Sequence, residues 1–349
     1  MEKLNTQSII DICTSQGFAL AGVAPAIRSE HDNNLEEWLA DGKHGEMEWM
    51  NRNIQVRLDP RQLLEGAKSV ICVADRYGEL EDSTLQPRHG RIARYARGKD
   101  YHKVMKRRLH DVCDTLREKL PDETFRVCVD TAPILERECA ARAGLGAVGK
   151  HTLLIEQGIG SWLLLGVIVT TADFKANTFV QQDPCATCTR CIDACPTNAI
   201  TPWSVDARKC ISYLTIEHRS EIPQELFKGI GEWIFGCDIC QEVCPHNQST
   251  TLGTSASVHE SYKPTLQSLN LLEVLNWDEG ARRKAFQGLS MKRAKLGMMR
   301  RNAVIVAGNV LEHENNPELL AKLQTIAKGD EDEMVQITAV AVLEERTVS

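Results

Sequence analysis

Apolar positions fall into two alternating registers over the first half of the chain. Ser8–Gln16 shows helical spacing, and Leu35–Met50 is a second helical stretch. Ser69–Ala74 (SVICVA), Phe125–Val129 (FRVCV) and Trp162–Thr171 (WLLLGVIVTT) are β-rich, apolar and of strand length. Between them, Lys103–Leu120 and Pro133–Ala143 read as helices, the second opening on a proline where a first turn tolerates one. The pattern predicts an α/β domain over residues 1–180. Beyond Lys263-Pro264 it becomes helical throughout, with apolar helical spacing in Met299–Leu311 and Glu333–Glu345.

The segment between, residues 181–250, follows neither register. It is entered through Gln181-Gln182-Asp183-Pro184, and its clearest helix is Ile211–His218. Its cysteines come in runs: Cys185, Cys188, Cys191 and Cys195 before Pro196, then Cys210, then Cys237, Cys240 and Cys244 before Pro245. The first run is C-x2-C-x2-C-x3-C-P, the pattern of bacterial two-cluster ferredoxins, in which the last cysteine of a run crosses to the other cluster. Two [4Fe–4S] clusters need eight thiolates, and eight are present. The crossing rule assigns Cys185, Cys188, Cys191 and Cys244 to the first cluster, and Cys195, Cys210, Cys237 and Cys240 to the second. All-cysteine zinc sites use C-x2-C pairs and leave the third cysteine at that spacing unexplained. Met1-Glu2-Lys3-Leu4-Asn5 leads into an amphipathic stretch rather than an export signal, so the expected compartment is the reducing cytoplasm, where disulfides are rare. Cys13, Cys72, Cys113, Cys128 and Cys139 lack partner spacing and read as small buried apolar residues.

A chain of 349 residues is too long for a lone ferredoxin and predicts two or three domains. Its longest apolar run, Trp162–Thr171, is too short to span a membrane. The net charge of −7 argues against wholesale coating of nucleic acid, but two stretches run the other way. Arg88 to Arg108 holds nine Lys/Arg against the single acid Asp100. Arg282 to Arg301 holds eight, including Lys292, Arg293, Lys295, Arg300 and Arg301, and no acid. Such stretches read either as solvated helix faces or as the footprint of an anionic ligand. The last segment, residues 265–349, reads as two antiparallel helix pairs of a size resembling HEAT-type repeats. Neither a coiled-coil pattern nor an exposed apolar helix argues against a monomer.

Gly144-Leu145-Gly146-Ala147-Val148-Gly149-Lys150 comes near two nucleotide motifs and satisfies neither. A G-x-G-x-x-G turn should follow a strand, yet a helix precedes this one, and a P-loop needs a hydroxyl where His151 stands. A glycine-rich turn with a cation still lets backbone approach a large anionic cofactor. Asp100-Tyr101-His102 begins like the D-x-H-x-x-G by which cobalamin enzymes supply an axial histidine, but Met105 stands at the glycine. His102 is therefore not expected to be a lower ligand. Asp130 ends an apolar strand. It reads either as a cap for the next helix or as a desolvated acid of raised pKa able to donate a proton.

Arg94–His102 (RYARGKDYH), Val129–Arg137 (VDTAPILER), Arg142–Lys150 (RAGLGAVGK) and Val205–Glu217 (VDARKCISYLTIE) resemble epoxyqueuosine reductases from about Leu35 to the C-terminus. The resemblance implies a cobalamin-dependent enzyme with two [4Fe–4S] clusters, its core related to reductive dehalogenases. Such an enzyme reduces epoxyqueuosine to queuosine at the wobble position of tRNAs for Tyr, His, Asn and Asp. It implies Asp130 as the acid that protonates the departing oxygen, with Asp100 and Tyr101 orienting the substrate. Cobalamin contacts carry over onto Arg52, Ala93, Asp130, Leu154, Leu165, Ser212, Cys237 and Asp238. Lys292, Arg293, Lys295, Arg300 and Arg301 would hold tRNA phosphates. Flavodoxin or ferredoxin is the expected electron donor. The competing expectations are a small-molecule reductive dehalogenase and a polyferredoxin electron carrier.

Overall fold

The computed structural model describes residues 4–80, 84–177, 182–248 and 257–348; the expected junctions at 180–181 and at 250 lie outside them. A four-stranded sheet forms the first core. Its strands are β1 (Leu20–Pro25), β2 (Ser69–Arg76), β4 (Phe125–Cys128) and β7 (Leu163–Thr170), in spatial order β1-β2-β7-β4. Every contact in it is antiparallel, with Cys72 facing Gly22 on one side and Val167 on the other. The mixed helix-and-strand character follows the sequence pattern. The antiparallel pairing does not follow from it, because β2 and β7 read as continuous apolar runs, which usually signal a parallel sheet.

The reason is that helices cover both faces. α1 (Thr6–Ser15) and α3 (Tyr101–Lys119) pack Ile9, Cys13, Met105 and Leu109 on Ile71, Val73 and Ile168. α4 (Glu136–Arg142) packs Cys139 and Ala140 on Val70, Cys72 and Val167 from the other side. The buried face of α3 (Tyr101, Met105, Leu109, Val112, Cys113, Leu116) repeats every three or four residues, as an amphipathic helix requires. It lies close to β7 because Gly166 has no side chain: a Cβ there would stand 2.7 Å from Met105 Sδ.

A second sheet joins distant segments. β3 (His89–Ile92) pairs in parallel with β10 (Trp233–Phe235) and antiparallel with β11 (Ser268–Asn270). Two hairpins complete the strands: β5 (Ala147–Val148) with β6 (Leu154–Ile155), and β8 (Ile200–Thr201) with β9 (Ser204–Val205). α5 (Ile211–Ile216) lies in the cysteine-bearing segment. Three helices end the chain, α6 (Leu296–His313), α7 (Pro317–Lys328) and α8 (Glu333–Val348). Asn316 caps α7 by accepting from Leu319 N–H at 3.1 Å, just ahead of Pro317.

Three expectations need correction. The stretch 35–50 is not one helix: α2 (Asp32–Ala40) stops at turns where Gly42 and Gly45 take φ of 65° and 58°, and only a short turn of helix resumes at Trp49. Pro133 does not open α4, which starts at Glu136. Residues 130–135 instead form an irregular turn that begins with Asp130 at φ 55°. The region after Lys263-Pro264 is not all helical, since β11 lies within it.

Candidate active site and cysteine pockets

The first turn of α3 and the end of β4 meet, and their meeting creates the site. Asp100 caps α3 by accepting from His102 N–H at 3.2 Å, which fixes Tyr101 and His102 in the opening turn. His102 Nδ1 lies 2.9 Å from Asp100 Oδ1, and its Nε2 lies 3.0 Å from Asp130 Oδ2. Its ring stacks on Tyr101 at 4.0 Å between centroids. One imidazole thus links two carboxylates supplied by different elements.

The electrostatics follow from that link. Burial lowers the His102 pKa, but the two carboxylates outweigh it and the ring is lifted to about 9. Burial raises the Asp130 carboxyl, yet His102, Arg293 and the Tyr101 hydroxyl together hold it below the usual carboxylate range. The expected raised pKa at Asp130 is therefore not found, because its partner is a cation. Asp130 remains 43% exposed with His102 and Tyr101 hydrogen-bonded to it, so it forms an accessible wall of this site. Its backbone is held left-handed, a conformation uncommon outside glycine, while its N–H donates to Glu136 Oε1 at 2.8 Å. Burial, with Asp130 adding to it, lifts Glu136 to about 8.

Cations ring this wall. Arg57, buried, feels both Glu136 and Asp130, and Arg293 pairs with Glu217 at 2.6 Å. Both guanidiniums lie over the half-exposed Trp49, at 5.4 and 5.6 Å from its centroid.

None of the thirteen cysteines is joined in a disulfide. Cys185, Cys188, Cys191 and Cys244 are one another's electrostatic neighbours. Cys210 neighbours Cys195, and Cys237 and Cys240 both neighbour Cys210. Cys191 and Cys244 of the first group are the least exposed, while in the second group desolvation pushes the Cys237 and Cys240 thiols well up. Among the described residues no three His, Cys, Asp or Glu converge as a single-ion site requires. Thiolates of a four-iron cube do not converge in that way, since each binds a different iron. Cys13, Cys72, Cys113, Cys128 and Cys139 are buried in the apolar cores.

The residues expected to touch a corrin are distributed around these two features. Ala93 N–H donates to Phe235 O at 2.8 Å, and a Cβ on Gly236 would stand 2.5 Å from the Ala93 Cβ. Asp238, 1% exposed, accepts from Arg94 N–H at 2.8 Å and from its guanidinium at 3.1 Å. Leu154 and Leu165 belong to the apolar layer that also holds Cys128. Ser212 lies half-buried in the first turn of α5, and Arg52 is exposed. His151 is 3% exposed; its Nδ1 accepts from Leu153 N–H at 3.2 Å while its Nε2 has no partner. A buried imidazole donor without a partner suits a large cofactor rich in amide acceptors, so these residues fit a corrinoid.

The basic stretches divide. Lys292, Arg293 and Lys295 are exposed. Arg301 is not available to phosphate: it is fully buried, and its guanidinium donates to the carbonyls of Leu214 at 2.7 Å and His218 at 2.9 Å. Arg300 is held by Asp330 at 2.5 Å, with little of its side chain exposed. From the other stretch, Arg94 and Arg97 are buried, and Arg108 reaches Asp75 at 2.5 Å. These arginines serve the fold. Three contributors to the site escaped the sequence reading. His102 was weighed only as a metal ligand, Glu136 had no signal beyond its place in VDTAPILER, and Arg57 lies outside every motif.

The family described as "Epoxyqueuosine reductase QueG, DUF1730" matches residues 57–131, and that described as "4Fe-4S double cluster binding domain" matches residues 184–247. The epoxyqueuosine reductase of Vibrio cholerae is 36% identical over 313 residues, covering 88% of this chain and 83% of that protein. The chain belongs to the epoxyqueuosine reductase family. The structure of epoxyqueuosine reductase from Streptococcus thermophilus superposes with a TM-score of 0.86 at 26% identity, covering 98% of this chain and 90% of that one. An epoxyqueuosine reductase solved with a tRNA-Tyr epoxyqueuosine-modified stem loop superposes at 0.83 with 25% identity, covering 97% of both. Asp100, His102 and Asp130 all fall within the first matched region, and all eight clustered cysteines fall within the second. Among the described residues, no helix is long and apolar enough to cross a membrane.

Proposed function

We propose that this member of the epoxyqueuosine reductase family reduces epoxyqueuosine at tRNA position 34 to queuosine, the last step of queuosine synthesis, in tRNAs for Tyr, His, Asn and Asp. The observation that carries this reading is the conjunction, in one chain, of a double-cluster module with the Asp100–His102–Asp130 linkage. Removing an epoxide oxygen takes two electrons and two protons and yields an alkene and water. Side chains supply protons but not low-potential electrons, so the two features divide the work.

The two cysteine groups are the ligand sets: Cys185, Cys188, Cys191 and Cys244 for one cluster, and Cys195, Cys210, Cys237 and Cys240 for the other. Their mutual proximity supports this assignment. Arg52, Ala93, Leu154, Leu165, Ser212, Cys237 and Asp238 would hold cobalamin, with Asp130 at its substrate side. When bound, cobalamin supplies a low-potential centre able to take two electrons. The protein's part is the proton. His102 carries it at Nε2, facing Asp130 Oδ2, while Asp100 fixes the ring from Nδ1. Asp130 passes it to the oxygen as negative charge develops there and, reprotonated from solvent through His102, supplies the second proton as water leaves; Tyr101, stacked on His102, orients the cyclopentane hydroxyls.

Lys292, Arg293 and Lys295 offer tRNA phosphates an exposed basic surface, and Arg293 joins that surface to the Asp130 wall. The chain divides into a reductive-dehalogenase-like part (1–180), a ferredoxin-like part (181–250) and a HEAT-like helical part (265–349). The close approach of α6 to α8 supports the last, where a Cβ on Gly308 would stand 2.5 Å from Val342. The enzyme works in the cytoplasm as a monomer and takes electrons from a flavodoxin or ferredoxin. The test is anaerobic incubation of reconstituted enzyme, cobalamin and reductant with epoxyqueuosine-containing tRNA, followed by nucleoside chromatography. Queuosine should replace epoxyqueuosine. Unchanged nucleosides, with eight irons and cobalamin bound, would overturn the reading.

A further inference from the structure

The glycine-rich turn that fails as a nucleotide motif has a different neighbour. Gly144 and Gly146 take φ of 84° and 143°, and a Cβ on Gly146 would stand 2.4 Å from Ile155 O, so the turn folds tightly into the β5–β6 hairpin. Lys150, at the end of the turn, is delivered against the first cysteine loop. Its backbone N–H donates to Cys185 Sγ at 3.3 Å. Its ammonium donates to Ala186 O at 2.7 Å and to Cys188 O at 3.0 Å. The lysine is only 7% exposed, and the indole of Trp203 lies 5.7 Å from Nζ. Trp203, at the tip of the β8–β9 hairpin with φ 59°, is itself 51% exposed and screens the ammonium from water. A buried cation with two carbonyl partners and, among the described residues, no carboxylate paired with it is unusual, since such charges are ordinarily paired.

We propose that Lys150 is a positioning residue for the first iron–sulfur cluster: it pins the Cys185–Cys188 loop and its charge raises that cluster's reduction potential. On reduction the cluster gains one electron, and with its four thiolates one further negative charge. A fixed ammonium at the loop and an N–H donated to a ligand sulfur both favour that more negative state, because charge and hydrogen bonds to sulfur set cluster potentials. The second group, built on Cys195, Cys210, Cys237 and Cys240, has no such contact from this turn. Ala199 N–H donates to Cys195 Sγ at 3.3 Å there, so the ammonium is what sets the first group apart, and it makes the first cluster easier to reduce than it would be without Lys150. The inference rests on the double-cluster module and not on the tRNA substrate, so either can fail without the other.

The experiment is an anaerobic potentiometric titration of the full chain with both clusters, read by electron paramagnetic resonance, for wild type, Lys150→Gln, Lys150→Met and Lys150→Arg. Gln keeps a donor without charge. It should retain eight irons while one midpoint falls by at least tenfold in the reduction equilibrium, about 59 mV for one electron, and the other midpoint stays fixed. Arg should restore the midpoint. Lys150→Met should release four irons to a chelator faster than wild type. Wild-type midpoints in Lys150→Gln would overturn the claim about charge, and wild-type iron release in Lys150→Met would overturn the claim about the loop.

Discussion

Replacing Asp130 by Asn keeps the side chain's shape and removes its charge, which isolates what the carboxylate does for His102. The ring moves from an ordinary 6.5 to about 9 under the influence of Asp100 and Asp130, and at 1.36 kcal/mol per pH unit that is about 3 kcal/mol of preference for the charged form. The ring is 26% exposed, so water screens part of this. The two carboxylates stand at 2.9 and 3.0 Å and share the effect almost evenly. Asp130→Asn should bring His102 roughly half-way back toward its ordinary value, read by NMR titration with Asp100→Asn as the matched control. Because the folded value is raised, the stability this ring contributes is complete below about 6.5 and disappears as pH rises through about 9. Asp130 is lowered, so its share is present above the ordinary carboxylate value and is lost as pH falls through its folded one. Wild type should therefore keep the linkage across neutral pH, and the variant should lose it on the alkaline side first. Turnover should fall by about 10²–10⁴, the range for a positioned proton donor, with iron and cobalamin content unchanged. A variant in which His102 still titrates near 9, or which turns over within tenfold of wild type, would refute the reasoning.

Glu136→Gln should abolish a pH dependence of stability. A carboxyl raised to about 8 makes the fold weaken between the ordinary Glu value and 8, by at most about 1.4 kcal/mol per pH unit, and thermal melts of the two proteins should diverge across that window. Arg301→Ala should destabilise by about 3 kcal/mol or more in denaturant titration, because buried carbonyls of Leu214 and His218 lose a charged donor. Lys292→Glu with Lys295→Glu should leave melting unchanged while weakening tRNA binding and flattening its salt dependence; unchanged affinity would place the phosphate contacts elsewhere. Gly166→Ala should lower stability by about 1–3 kcal/mol by forcing α3 away from β7, as measured by chemical unfolding.

The local features were legible because each has a chain-local cause. The cysteine runs state their own ligand count. The repeat of Tyr101, Met105, Leu109 and Leu116 states the buried face of α3, and unbroken apolar character marks β2 and β7. Pairings between distant segments were not legible. β1 (LAGVAP) is small and carries Gly and Pro, and β3 (HGRI) is short and polar, so neither has a strand signature. Each becomes a strand only because a remote neighbour supplies the hydrogen bonds. The same limit governs the site. Asp130 at the end of one strand reads as an isolated carboxylate, and only the crossing of α3 beside β4 brings His102 to it and reverses the direction of its pKa. Charge patches are ambiguous for a related reason. Arg301 and Lys292 look alike in sequence, yet one lies under α5 carbonyls and the other faces water.

The most direct test is a single-turnover reaction under anaerobic conditions with epoxyqueuosine-containing tRNA, counting electron equivalents consumed against the intact mass of the tRNA. Two electrons should disappear for each tRNA that loses one oxygen, and Asp130→Asn should retain both clusters but leave the mass unchanged over the time in which wild type completes its turnover. Electron uptake without loss of oxygen from the tRNA, by fully loaded wild-type protein, would contradict this.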